Sequence, residues 1–248
     1  MTTEPAVNPQ PSPPAVGPQA APAWPYLLTL AALVVSGIAF GLVALQARRT
    51  VPDNLDRVAW RWVIAHRDGR PLVTRFFEGL TVLGNFWVAT PLILAVTLAL
   101  FVLRRNKVPG VARGEAAFFF GVVEAGRIVN GAVKLAFRRD RPPLAQRLVE
   151  ESSFSFPSGH AAFSALFFGM LAFLLARGLR GKWARLRIPA VGACLVLSIL
   201  LGASRIWLAV HYTTDVLGGL VLGYAWLIAA WMIRDHLGRR RHTSPPGG

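Results

Sequence analysis

The chain has 248 residues, 54% of them apolar, with a mean hydropathy of +0.46 and a formal charge of +15. The apolar residues gather in long unbroken blocks, which excludes an ordinary water-soluble domain. Nor does the charge make nucleic acid a partner. Lys and Arg fall between the blocks, as expected of residues that flank membrane helices and meet anionic head groups, and no basic stripe with interleaved aromatics is present.

Residues 1–25 are rich in Pro and Ala and carry one charge, Glu4. They cannot bury a core and are predicted to form a disordered tail. The tail lacks the positive stretch that opens a secretory signal, so the first apolar block reads as a retained membrane helix. A bilayer core takes about 20 apolar residues per helix. Six blocks reach or approach that length: 26–46, 83–103, 116–137, 159–177, 188–209 and 213–233. The expected architecture is all-α, a polytopic bundle of six transmembrane helices forming one domain over 26–238, with a flexible basic tail over 239–248.

Between the first two blocks, residues 51–80 are too polar to span. Trp60, Trp62, Val63 and Ile64 alternate there with Arg57, Arg61 and Arg67, a pattern that suits an amphipathic segment at the membrane interface or a helix in a solvated loop. The single cysteine, Cys194, lies inside the fifth block and reads as a packing residue. Gly219 and Gly223 in the sixth block form a small-xxx-small pair that permits close helix contact, assigned here within the chain.

Charge alone leaves the orientation open. The connections after blocks two, four and six hold 13 basic residues, and those after blocks one, three and five also hold 13. Setting aside Lys134, Arg141 and Arg205, whose positions have a chemical rationale, the balance is 13 against 10.

Ionisable groups inside membrane blocks are costly and by default face the bundle interior for a reason. In block three Glu124, Arg127, Asn130 and Lys134 fall on one helical stripe. Glu124 and Arg127 can pair with each other as a structural ion pair. Lys134 has no such partner within the helix; it sits near the helix end, seven residues before Arg141, and Pro142-Pro143 then closes a turn that no helix can adopt. Before block four comes Phe156-Pro157-Ser158-Gly159-His160. Ser158 is placed as an N-cap, Gly159 allows close backbone approach, and free N–H groups at a helix start attract an anion beside His160. A plain helix cap with an incidental histidine is the alternative. At the end of block five come Ser204-Arg205, then His211, then Asp215 four residues on. On one helical face the carboxylate would accept from one ring nitrogen and leave the other nucleophilic; a polar pair at the membrane interface is the alternative.

The three clusters fall on one side of the membrane. They supply three cations, a helix N-terminus, two histidines and a carboxylate, the inventory for phosphoryl transfer. No carboxylate-rich cage for Mg²⁺ accompanies them, so neither a metal nor another cofactor is expected.

Lys134 through Arg141-Pro142, Pro157-Ser158-Gly159-His160, and Ser204-Arg205 through His211 to Asp215 resemble, in every element and spacing, the three-part signature of the type-2 phosphatidic acid phosphatase and vanadium haloperoxidase superfamily. The resemblance covers roughly residues 80–234. It implies that His211 attacks phosphorus, Asp215 orients its ring and His160 protonates the leaving group. Lys134, Arg141 and Arg205, with Ser158 and the Gly159 N–H, would hold the phosphoryl oxygens. Glu124 and Arg127 lie outside the signature and receive no role from it. The superfamily's haloperoxidases are soluble, against six membrane blocks here. The resemblance therefore implies a metal-independent, multi-pass phosphatase of a lipid phosphate or diphosphate, such as phosphatidic acid, phosphatidylglycerol phosphate or undecaprenyl diphosphate. It also implies a plasma (inner) membrane location, a pocket at the external or periplasmic leaflet and both termini in the cytoplasm. A lipid-linked phosphotransferase would use the same residues. A non-catalytic lipid-binding protein would be expected to carry a broken signature, and this one is intact. Oligomeric state is left open.

Overall fold

A computed structural model describes residues 24–48, 54–107 and 111–243. In chain order the helices are α1 (Trp24–Ala47), α2 (Asn54–Arg67), α3 (Pro71–Thr81), α4 (Phe86–Arg105), α5 (Glu115–Phe137), α6 (Gly159–Gly178), α7 (Arg187–Trp207) and α8 (Thr213–Thr243). No strand occurs among the described residues. Six helices, α1 and α4 to α8, are long and apolar enough to cross a membrane.

The helix limits differ from the sequence expectation in two places. α1 opens at Trp24, with Pro25 in its first turn, where a missing N–H costs nothing; the rest of the expected tail lies outside the described residues. α8 runs on to Thr243, so residues 239–243, expected in a flexible tail, are helical. α5 ends at Phe137, the end of the third apolar block: Arg138 takes a left-handed conformation (φ 48°) and its N–H caps the Lys134 carbonyl at 2.9 Å.

α6 is the centre of the bundle. Of its spanning stretch 61% is buried, against 6% for α1, which lies on the periphery against α8. Lipid tails are as apolar as Leu, so helix association in a bilayer depends on close van der Waals fit. α8 achieves that fit against α6 through the predicted glycine pair. A Cβ on Gly219 would stand 2.5 Å from the Ser158 carbonyl oxygen, and one on Gly223 would stand 2.6 Å from the Ala165 Cβ. Close approach here sets the start of α8 beside the start of α6, which positions everything below.

The segment between α1 and α4 forms two short helices. α2 and α3 lie across one end of the bundle, with Val63 and Phe77 packed on Trp207, Leu208 and Val210. Leu55, Val58 and Trp62 remain exposed on the other face of α2. Arg67, read from sequence as an interface cation, is buried and donates to the Gln146 carbonyl at 2.5 Å.

Candidate active site

Antiparallel packing brings the ends of α5 and α7 to the starts of α6 and α8. All eight candidate residues (Lys134, Arg141, Ser158, Gly159, His160, Arg205, His211 and Asp215) therefore sit at one end of the bundle. Lys134 is in the last turn of α5 and donates its Nζ to the Phe154 carbonyl. Arg141 follows in irregular chain, held by Nε to the Ser153 carbonyl at 2.6 Å and Nη1 to the Val210 carbonyl at 2.9 Å. Arg205 closes α7, with Nη1 on Thr81 Oγ1 at 2.5 Å.

His211 and Asp215 do not share a helical face, contrary to the i, i+4 expectation. α7 ends at Trp207 and α8 begins at Thr213, so His211 lies in the connection, where its N–H returns to the Arg205 carbonyl at 3.2 Å. Ala209, two residues earlier, adopts a left-handed φ of 53° to make that turn. Asp215 sits in the first turn of α8 and caps it, accepting the Tyr212 N–H at 2.8 Å. The ring still meets the carboxylate, but loosely: Nδ1 is 3.4 Å from Asp215 Oδ2 and 3.3 Å from Ser155 Oγ. On the other side, Nε2 is 3.1 Å from Arg141 Nη1. A guanidinium can only donate, so Nε2 carries the lone pair and Nδ1 the proton. Burial, reinforced by the charges of Arg141, Lys134 and Arg205, lowers the His211 pKa well below 6.5. The result is a neutral imidazole whose free nitrogen faces a cationic pocket.

Asp215 is fully buried, and its stronger partners were not foreseen. Ser155 Oγ donates to Oδ2 at 2.5 Å and Arg139 Nη1 donates to Oδ1 at 2.5 Å. Arg139 also donates to Asp56 of α2 at 2.8 Å, and Asp56 accepts both the N–H and the hydroxyl of Thr214, at 2.8 and 2.7 Å. Burial opposes the charge on Arg139, but the Asp215 and Asp56 carboxylates outweigh it and raise its pKa. In the sequence Arg139 looks like one more cation flanking a membrane helix. The only signal that could have flagged Asp56 is its acidic charge within a basic amphipathic segment.

Glu151 also escaped the sequence reading. One carboxylate oxygen accepts from Arg205 Nη2 and the other lies 3.5 Å from Arg141 Nη2. It bridges two of the three expected anion-binding cations, much as a phosphoryl group would.

His160, in the first turn of α6, points Nε2 at Asn85 Oδ1, 3.1 Å away. Its ring occupies space left by Gly84, where a Cβ would stand 2.3 Å from Cδ2. Ser158 is at the N-cap position, but its hydroxyl makes no cap; Oγ is buried with no partner among the described residues, while its N–H donates to the Asp215 carbonyl at 2.9 Å. The Nε of Arg205 is likewise buried and unpaired among the described residues. Unmet donors of this kind carry a desolvation cost of about 1–3 kcal/mol each unless a ligand satisfies them. Among the described residues, no three His, Cys, Asp or Glu are grouped to hold a metal ion.

This geometry has relatives. The family model of the PAP2 superfamily matches residues 115–239, half of the chain. The chain belongs to the PAP2 superfamily. It is 33% identical over 156 residues to phosphatidylglycerophosphatase B of Bacillus subtilis (strain 168), covering 62% of this chain and 71% of that protein. It is 32% identical over 102 residues to undecaprenyl-diphosphatase BcrC of the same organism, covering 40% of this chain and 47% of that one. The crystal structure of the transmembrane PAP2 type phosphatidylglycerolphosphate phosphatase from Bacillus subtilis superposes with a TM-score of 0.72 at 26% identity, covering 83% of this chain and 96% of that one. The family acts on lipid phosphates and its phosphatases are hydrolases. This member is a multi-pass integral membrane protein.

Proposed function

We propose that this PAP2 protein hydrolyses a lipid phosphate or diphosphate through a phosphohistidine on His211. Nε2 of His211 attacks phosphorus while the P–O bond to the lipid breaks, and His160 gives its proton to the departing oxygen. Lys134, Arg141 and Arg205, with the Ser158 hydroxyl and the Gly159 N–H, hold the three phosphoryl oxygens, and Glu151 swings aside as they arrive. Asp215, fixed by Ser155 and Arg139, steadies the positive charge on the phosphorylated ring. Water then attacks the same phosphorus and passes a proton to His160. The P–N bond breaks, and inorganic phosphate leaves with His211 restored.

The observation that carries this proposal is the lone pair of His211 Nε2 directed at Arg141, 3.1 Å away, in a pocket with unmet donors on Ser158 and Arg205. The relatives' names, phosphatidylglycerophosphatase and undecaprenyl-diphosphatase, support lipid mono- and diphosphates as the substrate class. The site end also holds the smaller set of flanking cations once the pocket's own are set aside, which supports placing it at the external face of the plasma membrane with both termini cytoplasmic. The test is phosphate release by the purified protein from phosphatidic acid, phosphatidylglycerol phosphate and undecaprenyl diphosphate. Release from at least one is expected; release from none contradicts the proposal.

A further inference from the structure

A cavity opens from the candidate active site at His160 and Gly159, and the rest of its wall is not used by the phosphoryl chemistry above. It has a volume of about 160 Å³ between α4, α5 and α6, and its wall includes Gly84, Phe86, Arg127, Asn130, Gly159 and His160. It thus shares His160 and Gly159 with the pocket that holds the scissile phosphoryl group, and extends from there into the bundle. Arg127 is the feature that needs explaining. It lies seven residues before Lys134 on α5, about 10 Å deeper along the helix, where a charge within a membrane span is costly unless it serves a purpose.

Glu124 accounts for only part of that guanidinium. Its contact with Arg127 Nη1, at 2.8 Å, uses the same nitrogen that reaches Thr90 Oγ1 at 3.4 Å. The guanidinium carbon lies 5.2 Å from the centre of the Phe86 ring. Nε and Nη2 donate to no group among the described residues. Asn130, one turn nearer the active site, is buried, and its Nδ2 has no acceptor among the described residues. A cavity bordered by a half-used guanidinium and an unsatisfied amide is built for an oxygen-rich anion.

We propose that this cavity is a subsite for a second phosphate, the one that remains with the lipid when the scissile P–O bond breaks. The inference rests on the phosphatase reading, because it is His160, as proton donor to the leaving oxygen, that makes this the leaving-group side. A lipid diphosphate would place its retained phosphate here, and phosphatidylglycerol phosphate would place its phosphodiester here. Phosphatidic acid, whose leaving group is a neutral diacylglycerol, would leave Arg127 unused. Arg127 and Asn130 are then specificity-determining residues that favour substrates with two phosphates.

The test compares kcat/KM of the full-length protein in mixed micelles on farnesyl diphosphate, phosphatidylglycerol phosphate and phosphatidic acid. Arg127→Gln should lower kcat/KM about tenfold or more on one or both two-phosphate lipids, as expected for losing a charge-assisted hydrogen bond. Phosphatidic acid turnover should change less than about threefold, within the scatter of a neutral substitution. Which of the two lipids suffers more identifies the spacing the cavity accepts. Because Arg127→Gln leaves Glu124 unpaired in the span, the double variant Glu124→Gln/Arg127→Gln, which leaves no unpaired ion, should show the same selective loss. Arg127→Lys should keep part of the preference. An equal fall on all three lipids, or no fall on any, overturns the subsite while leaving the phosphatase intact. Failure of the unmutated protein to release phosphate from any of them overturns the phosphatase reading itself.

Discussion

The two ends of this bundle bury the same kinds of groups with opposite results. At one end Glu115, opening α5, and Arg234, late in α8, form a closed pair: both guanidinium Nη atoms meet both carboxylate oxygens at 2.9 Å, and Phe118 stacks on the guanidinium at 4.4 Å. Positive and negative charge cancel, every oxygen is met, and the pair joins α5 to α8. At the other end the charges do not cancel locally. Asp56 and Asp215 share Arg139, while Arg141 and Arg205 share Glu151 and Lys134 meets no carboxylate among the described residues. A matched pair fastens helices together, whereas a surplus of cations with unmet donors beside it makes a place for an anion.

Substitutions can break this contrast. The largest effect is expected for His211→Asn, which removes the free nitrogen without emptying the space. Phosphate release should fall by far more than the roughly 10²–10⁴-fold lost with acid–base help alone, and turnover near the unmutated rate would reject His211 as nucleophile. Next comes Arg139→Met, which strands two buried carboxylates. It should cost about 3–5 kcal/mol of stability, read from the thermal midpoint in detergent, and lower kcat by loosening Asp215. The matching change at the far end, Glu115→Gln with Arg234→Met, should lower the midpoint and leave kcat per folded molecule unchanged. Equal effects on kcat at both ends would erase the distinction drawn here.

A smaller effect is expected for Glu151→Gln. If its carboxylate stands in for the phosphoryl group, removing that charge relieves substrate of a competitor, and KM should fall by a few-fold, about 1 kcal/mol. A rise in KM would make Glu151 part of substrate binding instead. The smallest effect concerns pH. Folded His211 resists protonation because it is buried among cations, whereas the unfolded ring takes a proton near 6.5. The unfolded state therefore binds more protons below that value, so this contribution to stability falls as pH drops through 6.5 and is level above it. His211→Asn should make the thermal midpoint less dependent on pH between 7 and 5; an unchanged slope would contradict the burial.

Much of the bundle was legible because six apolar blocks admit few other structures in a bilayer. What the sequence hid were arrangements that depend on partners far along the chain. Helical periodicity placed Glu124 opposite Arg127, and the pair is present at 2.8 Å. The same periodicity misled for His211, because the i, i+4 spacing to Asp215 was read as helical across the break between the fifth and sixth apolar blocks, where α7 has already ended. Arg139 was lost in a run of flanking cations, since its partners Asp56 and Asp215 lie 83 and 76 residues away. Ser155 and Glu151 carry no local signature at all; only the return of residues 147–158 over the site gives them a role. Spacing along the chain can identify residues that act together, but the groups that hold them are chosen by the fold.

The most direct measurement is to mix purified protein briefly with a lipid phosphate labelled in the terminal phosphoryl group, quench in alkali, and map the label. The account predicts an acid-labile, alkali-stable phosphoryl group on the peptide containing His211, absent from His211→Asn. Label on any other residue, or full turnover with no labelled protein under the same quench, would contradict it.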